Sequence, residues 1–253
     1  MRNQPKKEFV FGFHTITALL KSAPQKIDTL YCREDRQDKR VQSIRNLAKS
    51  HGIPIGTLSK VQCNEIAPNA VHQGVFAKIK KTSRLNEQDL MIFLHHRLHN
   101  NLNPPFLLVL DGVQDPHNLG ACLRSANAAG VDAVIIPQDR AVNKTPIVQK
   151  TAAGAAEVTS LFTVTNLATC LERLKKCGIW CYGLDQSGTR LIYDAPLTGP
   201  LALVLGAEGK GLRRLTKVCC DDLVAIPMVG TVGSLNVSVA AGVGLFEVVR
   251  QRQ

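Results

Sequence analysis

Aromatic residues make up only 5% of the 253-residue chain. A core must therefore be aliphatic, as expected where parallel strands dominate. No apolar run reaches the roughly 18 residues that cross a bilayer, so no membrane partner is expected. The opening MRNQPKKEFVFGFH is basic, but it has no long apolar segment and no small-residue cleavage site. It does not read as a secretory signal, and the expected location is the cytoplasm. None of the eight cysteines, Cys32, Cys63, Cys122, Cys170, Cys177, Cys181, Cys219 and Cys220, forms a C-x-x-C pair. Neither a zinc ribbon nor a dithiol motif is signalled, and the thiols read as reduced. The phosphate loop G-x-x-x-x-G-K-[ST] is missing, and so is G-x-G-x-x-G after the first strong strand. Nucleotide hydrolysis and dinucleotide-dependent redox chemistry are both disfavoured. Internal repeats and low-complexity segments are absent.

Acidic residues are also in deficit: 20 Asp+Glu face 31 Lys+Arg, for a net charge of +11. The imbalance is local. Residues 1–104 hold 17 basic and 8 acidic side chains, while residues 105–253 hold 14 and 12. A basic module joined to a near-neutral one suits a part that grips a polyanion and a part that does chemistry. The blander alternative is a solvated surface.

The pattern divides accordingly. From Phe9 to Ile79 short apolar stretches alternate with helical spacing, giving a small α/β module over residues 1–80. Residues 81–104 read as a linker holding a helical piece, Glu87 to Leu98. His95, His96 and His99 cluster there, but with no carboxylate or Cys at suitable spacing they read as a solvated face, and no metal is expected. Residues 105–253 form the second domain. FLLVLDGV is a continuous apolar strand, and a helix and the strand VDAVIIP follow it, a βαβ unit with further strands at Ile179–Leu184, Leu201–Leu205 and Leu223–Met228. Ser234 is positioned to cap the last helix. The small residues Ala240, Ala241, Gly242 and Gly244 in that helix imply close backbone approach, or else tight packing on a sheet.

In open α/β sheets, function collects beyond the carboxyl ends of the strands. Three loops there carry polar groups. The first runs from Asp115 to Ala126 and contains Asn118, Gly120 and Arg124. Arg124 either holds an anion such as phosphate bidentately or pairs with a surface carboxylate. The second is Gly206-Ala-Glu-Gly-Lys-Gly-Leu, whose glycines permit close approach of a ligand and whose only carboxylate is Glu208. The third includes Ile226, Pro227, Ser234, Leu235, Asn236 and Ser238.

This ordered set, N-x-G-x(3)-R-x-A, then G-x-E-G-x-G-L, then I-P-M…S-L-N-V-S-x-A, resembles the SpoU (TrmH-like) family of RNA ribose 2′-O-methyltransferases, within the SPOUT class. FVFGFHTITALL and His72-Gln-Gly-Val resemble an L30e-like substrate-binding domain of large-subunit rRNA guanosine methylases. The resemblance implies a C-terminal trefoil-knotted domain with a parallel sheet, and a homodimer. It implies S-adenosyl-L-methionine as cofactor, held by backbone groups of Gly206, Ile226 and Leu235. It assigns catalytic roles to Asn118, Arg124, Glu208 and Asn236, and it implies as substrate a guanosine in the peptidyl-transferase loop of 23S rRNA or its assembly precursor. An arginine keeps its proton to a pKa above about 12, so Arg124 is expected to clamp a phosphate and polarise the 2′-hydroxyl rather than act as base. Glu208 is expected to fix Arg124 or the Asn amides. A tRNA ribose methylase and a non-catalytic RNA-binding protein are the alternatives.

Overall fold

The computed structural model describes residues 9–68, 72–80, 84–100, 103–139 and 145–253. Two units emerge. One comprises the chain up to Ser83 together with Ala153–Val158, and the other comprises Arg84–Ala152 and Thr159–Gln253.

In the first unit, strands β1 (Phe9–Phe11), β2 (Ile27–Arg33), β3 (Ile55–Leu58) and β4 (Val75–Ile79) form a sheet in the order β1-β4-β2-β3. Only the β2–β3 pair is parallel. Alternate side chains point to opposite faces. Val10, Leu30, Cys32, Val75 and Ala77 meet helices α1 (Phe13–Ser22) and α2 (Lys39–Ser50) through Ile16, Leu19, Val41 and Ile44. Phe76 on the other face meets Cys63 and Ala67 of α3 (Lys60–Ile66) and its C-terminal edge, with Phe9, Phe11 and Tyr31 packed at the margin. Local chemistry starts each later helix. Asp38 accepts from the Arg40 and Val41 amides, and Ser59 and Gln62 form a reciprocal capping box.

The second unit opens with α4 (Glu87–His99), which lies inside the stretch expected to be a linker. Its Leu90 and Leu94 are fully buried in the core of this unit, so the helix is a structural part of the domain. There follow β5 (Phe106–Asp111), α5 (Pro116–Ala128), β6 (Ala133–Pro137) and α6 (Pro146–Thr151). Helix α7 (Ala155–Val158) belongs to the first unit, where it packs on α1. A Cβ on Gly154 would stand 2.8 Å from the Thr15 Cα, which shows how closely the backbones approach. No periodicity marks six residues that join another unit, and the sequence reading kept them within 105–253. The remaining elements are β7 (Ser160–Val164), α8 (Leu167–Lys176), β8 (Trp180–Leu184), β9 (Arg190–Leu191), β10 (Leu201–Gly206), α9 (Arg214–Cys219), β11 (Asp222–Ala225) and α10 (Val237–Gln251).

The seven strands are all parallel, in the order β7-β6-β5-β10-β8-β11-β9. The apolar runs of β5 and β10 lie side by side at its centre, in register from Phe106↔Leu201 to Asp111↔Gly206. Helices α4 and α8 cover the face carrying Leu107, Val109 and Val204. Helix α10, packed against α5, covers the face carrying Leu203. Gly244 allows this close packing, because an added Cβ would lie 2.7 Å from Leu203 Cδ2 and displace that side chain. Gly242 is not crowded in this way: its nearest neighbour would be Ser125 Oγ at 4.0 Å. Among the described residues, no helix is long and apolar enough to cross a membrane.

Candidate active site

The chain runs out from β5 through β6 to β7, then returns to the other side of β5 with β10 and β8. This reversal leaves a crevice beyond the carboxyl ends of the strands. The polar loops after β5, β10 and β11 converge there.

Asp115 caps α5 by accepting from the His117 and Asn118 amides, both at 3.2 Å, and Pro116 fills the first helical position. This fixes Asn118 at the mouth of the helix. Gly120 lets α6 close in, since a Cβ would lie 2.7 Å from the Thr151 Cβ. Asn118 Nδ2 donates to Glu208 Oε2 at 3.0 Å. Asn236 Nδ2 donates to Asn118 Oδ1 at 3.0 Å and to the same Glu208 Oε2 at 3.2 Å. Three side chains up to 118 residues apart in sequence thus form one hydrogen-bonded ring. Asn236 is also the N-cap of α10, its Oδ1 accepting from the Ser238 amide at 2.9 Å and hydroxyl at 2.6 Å. The helix therefore starts at Val237 rather than at Ser234: an Asn side chain with both ends engaged holds the cap. Between β11 and this cap the chain stays irregular, and Ile226, Met228, Gly233, Ser234 and Leu235 line the crevice.

The loop after β10 depends on Gly206. The chain turns back so sharply that a Cβ there would lie 1.9 Å from the Gly211 carbonyl carbon. Gly209 and Gly211 take φ values of 73° and 63°, which glycine adopts freely. The far end of the loop, just before α9, is anchored by Asp111, a fully buried carboxylate at the end of β5, which accepts from the Arg213 amide at 3.0 Å and from its guanidinium.

The resulting cleft has a volume of about 440 Å³, within the usual range for small-molecule sites. Leu205, Ile226, Leu235 and Val237 give it apolar walls, and Gly206–Gly211 contribute exposed backbone. Gly206, Ile226 and Leu235 all line it, as does Glu208. Its other charged side chains are Lys210 and the pair Asp185 and Lys217, which lie 2.8 Å apart. Burial alone would raise the Asp185 carboxyl, but hydrogen bonds from Lys217 and from the Ser187 hydroxyl and amide outweigh it and hold the group below the ordinary carboxylate value. No cysteine is among the described residues that line the cleft. Burial pushes Cys122, Cys170 and Cys220 up to about 12.

Arg124 is the one expected site residue outside this assembly. It is exposed, does not line the cleft, and has no ion-pair partner among the described residues. Six residues after Asn118, it stands about 120° round the helix, so Glu208 holds the two amides and not the guanidinium. The sequence reading missed Asp111 with Arg213, and Asp185 with Lys217. The available signal was the acidic residue closing each apolar strand, Asp111 after FLLVL and Asp185 after WCYGL.

The comparisons with known proteins converge on one family. A family model described as the SpoU rRNA Methylase family matches residues 105–246, and one described as RNA 2′-O ribose methyltransferase substrate binding matches residues 9–85. The chain is 48% identical over 248 residues to the 23S rRNA (guanosine-2′-O-)-methyltransferase RlmB of Shewanella oneidensis, covering 98% of this chain and 99% of that protein. It is 49% identical over 248 residues to the RlmB of Coxiella burnetii, covering 98% and 97%. The SpoU methyltransferase AviRb from Streptomyces viridochromogenes superposes with a TM-score of 0.76 at 24% identity, covering 96% of this chain and 89% of that one. The structure of that protein in complex with the cofactor AdoMet gives 0.75 at 23%, covering 96% and 90%.

Proposed function

The chain belongs to the SpoU rRNA methylase family, and from that premise we propose that it transfers a methyl group from S-adenosylmethionine to the ribose 2′-oxygen of a guanosine in 23S rRNA. The observation that carries the reading is the ring of Asn118, Glu208 and Asn236 at the rim of the cleft formed by Gly206, Ile226 and Leu235.

The cleft residues fit the cofactor. Its apolar walls suit a purine and its exposed backbone suits the purine's polar edge. Asp185 and Lys217 suit a zwitterionic amino-acid group, and Gly206 lets the Gly211 backbone fold back against it so that the loop's peptide groups line the cleft. When bound, S-adenosylmethionine supplies a methyl group already activated on a sulfonium. The protein's task is alignment, which can lower a barrier by on the order of 7–11 kcal/mol. Glu208 Oε2 is taken up by the two amides, while Oε1 has no protein donor among the described residues. That oxygen can accept from the ribose hydroxyl and turn its lone pair toward the cleft. Arg124, a permanent cation without an ion-pair partner among the described residues, clamps a neighbouring phosphate. As the methyl transfers, the hydroxyl proton passes along its hydrogen bond to Glu208 Oε1 and from there to the phosphate or to water.

A homodimer and a trefoil knot belong to the same proposal. Val239 and Phe246 on α10 are each 50% exposed, and Val229 and Val232 in the preceding loop are more so, an unusual apolar surface to leave bare. A second copy covering it would also account for an arginine that stands outside its own cleft. The expected setting is the cytoplasm, on 23S rRNA or an assembling particle. Incubating the protein with labelled S-adenosylmethionine and unmodified 23S rRNA or tRNA separates the rRNA reading from the tRNA alternative. Label in 23S rRNA alone is expected.

A further inference from the structure

The first unit holds an unusual concentration of rings. In a chain with only twelve aromatic side chains, four, Phe9, Phe11, Tyr31 and Phe76, fall on one face of a four-stranded sheet. The strand register lays them out as a grid. Phe76 on β4 stands opposite Phe11 on β1 and Tyr31 on β2, and in the next row Lys78 stands opposite Phe9 and Thr29. Helix α3 buries Phe76 completely but leaves Phe9, Phe11 and Tyr31 only partly buried at the margin of the cluster. The Phe9 and Tyr31 ring centroids are 6.0 Å apart. Gly56, opposite Tyr31, has no side chain in the way of the ring: a Cβ there would lie 2.8 Å from Tyr31 Cδ1 and Cε1. The Tyr31 hydroxyl has no hydrogen-bond partner among the described residues. Two cations border the rings. Lys78 is fixed by Asp28 and Arg33 by Asp35, each with N–H donors to spare. Residues 9–80 as a whole carry 11 Lys+Arg against 5 Asp+Glu.

Partly exposed rings at the margin of a sheet, bordered by cations, suit an unpaired nucleotide, whose base stacks while its phosphate meets the charge. We propose that Phe9 and Tyr31 form a stacking platform for an unpaired base of the substrate RNA, with Lys78 and Arg33 holding the adjacent phosphates. This rests on the RNA methyltransferase reading above and extends it: the unit selects looped over paired RNA.

The test uses the full-length protein and two probes, a hairpin-loop fragment of 23S rRNA that the wild type methylates and a fully paired duplex of equal length. Tyr31→Leu and Phe9→Leu keep an aliphatic contact with α3 but remove the ring. Each is expected to weaken hairpin binding about tenfold, to leave duplex affinity and S-adenosylmethionine binding unchanged, and to keep the wild-type melting temperature within a few degrees. Tyr31→Trp is expected to restore the hairpin affinity. Wild-type hairpin affinity in both Leu variants, or equal loss on hairpin and duplex, overturns the platform while leaving the methyltransferase reading intact. A wild type that neither binds nor methylates any RNA overturns both. Should Tyr31→Leu fail to fold, Phe9→Leu on the edge strand gives the same readout.

Discussion

Glu208 Oε2 accepts from two amides at once, and Asn236 also donates to Asn118, so losing any one member of the ring leaves the other two joined by a single hydrogen bond. The arginine on α5 acts differently. Arg124→Lys keeps the charge but loses the planar fork, and is expected to lower the methylation rate about 10²-fold with calorimetric S-adenosylmethionine affinity unchanged. An unaltered rate would remove the phosphate clamp from the mechanism. Asp185 makes a pH-dependent prediction. Its carboxyl is held below its ordinary value in the folded state, so folding favours the charged form. That stabilisation is fully present above the unfolded value of about 3.9 and is lost as pH falls through the depressed folded value. Asp185→Asn should therefore melt below the wild type at neutral pH, and the gap should close in acid. A gap independent of pH would rule out the Lys217 pairing as its cause. Arg213→Ala strands a fully buried Asp111 and is expected to cost on the order of 3 kcal/mol in urea unfolding.

Among the elements, the central strands were legible because nothing but burial on both faces accounts for FLLVLD and LALVL. The loops were legible as chemistry because polar residues and glycines in a fixed order followed those strands. The start of α10 was not legible, because Ser234 and Asn236 are both good caps. The choice rests on partners 118 and 28 residues away, Asn118 and Glu208. Nor was the place of α4, whose two buried leucines carry little helical amphipathicity, or of Ala153–Val158, which joins the first unit through backbone packing at Gly154. Arg124 shows the converse: its angle from Asn118 could be computed from the helical repeat alone. Two glycine substitutions test the element packing. Gly206→Ala must push Gly211 aside, and is expected to abolish S-adenosylmethionine binding. Gly244→Ala collides with Leu203 and Ile192 side chains, and is expected to lower stability by about 1–3 kcal/mol without that loss of binding.

For the whole molecule, a basic unit carrying RNA-facing chemistry and a near-neutral unit carrying the cleft imply that RNA affinity and cofactor affinity respond differently to salt. Raising salt from about 50 to 200 mM should weaken rRNA binding by orders of magnitude while leaving S-adenosylmethionine binding nearly constant; parallel losses would contradict the division of labour. For the proposed homodimer, Phe246→Glu on the bare face of α10 should shift sedimentation from dimer to monomer; an unchanged dimer would contradict that interface, and a monomeric wild type would contradict the dimer. The central claim is that loops from three strands align one ribose hydroxyl with one methyl donor. Its most direct measurement is alkaline hydrolysis of 23S rRNA after reaction with the purified protein and S-adenosylmethionine. A single alkali-resistant linkage 3′ to a guanosine is predicted, absent with Asn236→Ala; methyl on a base, on another nucleotide, or at the same site with Asn236→Ala would contradict it.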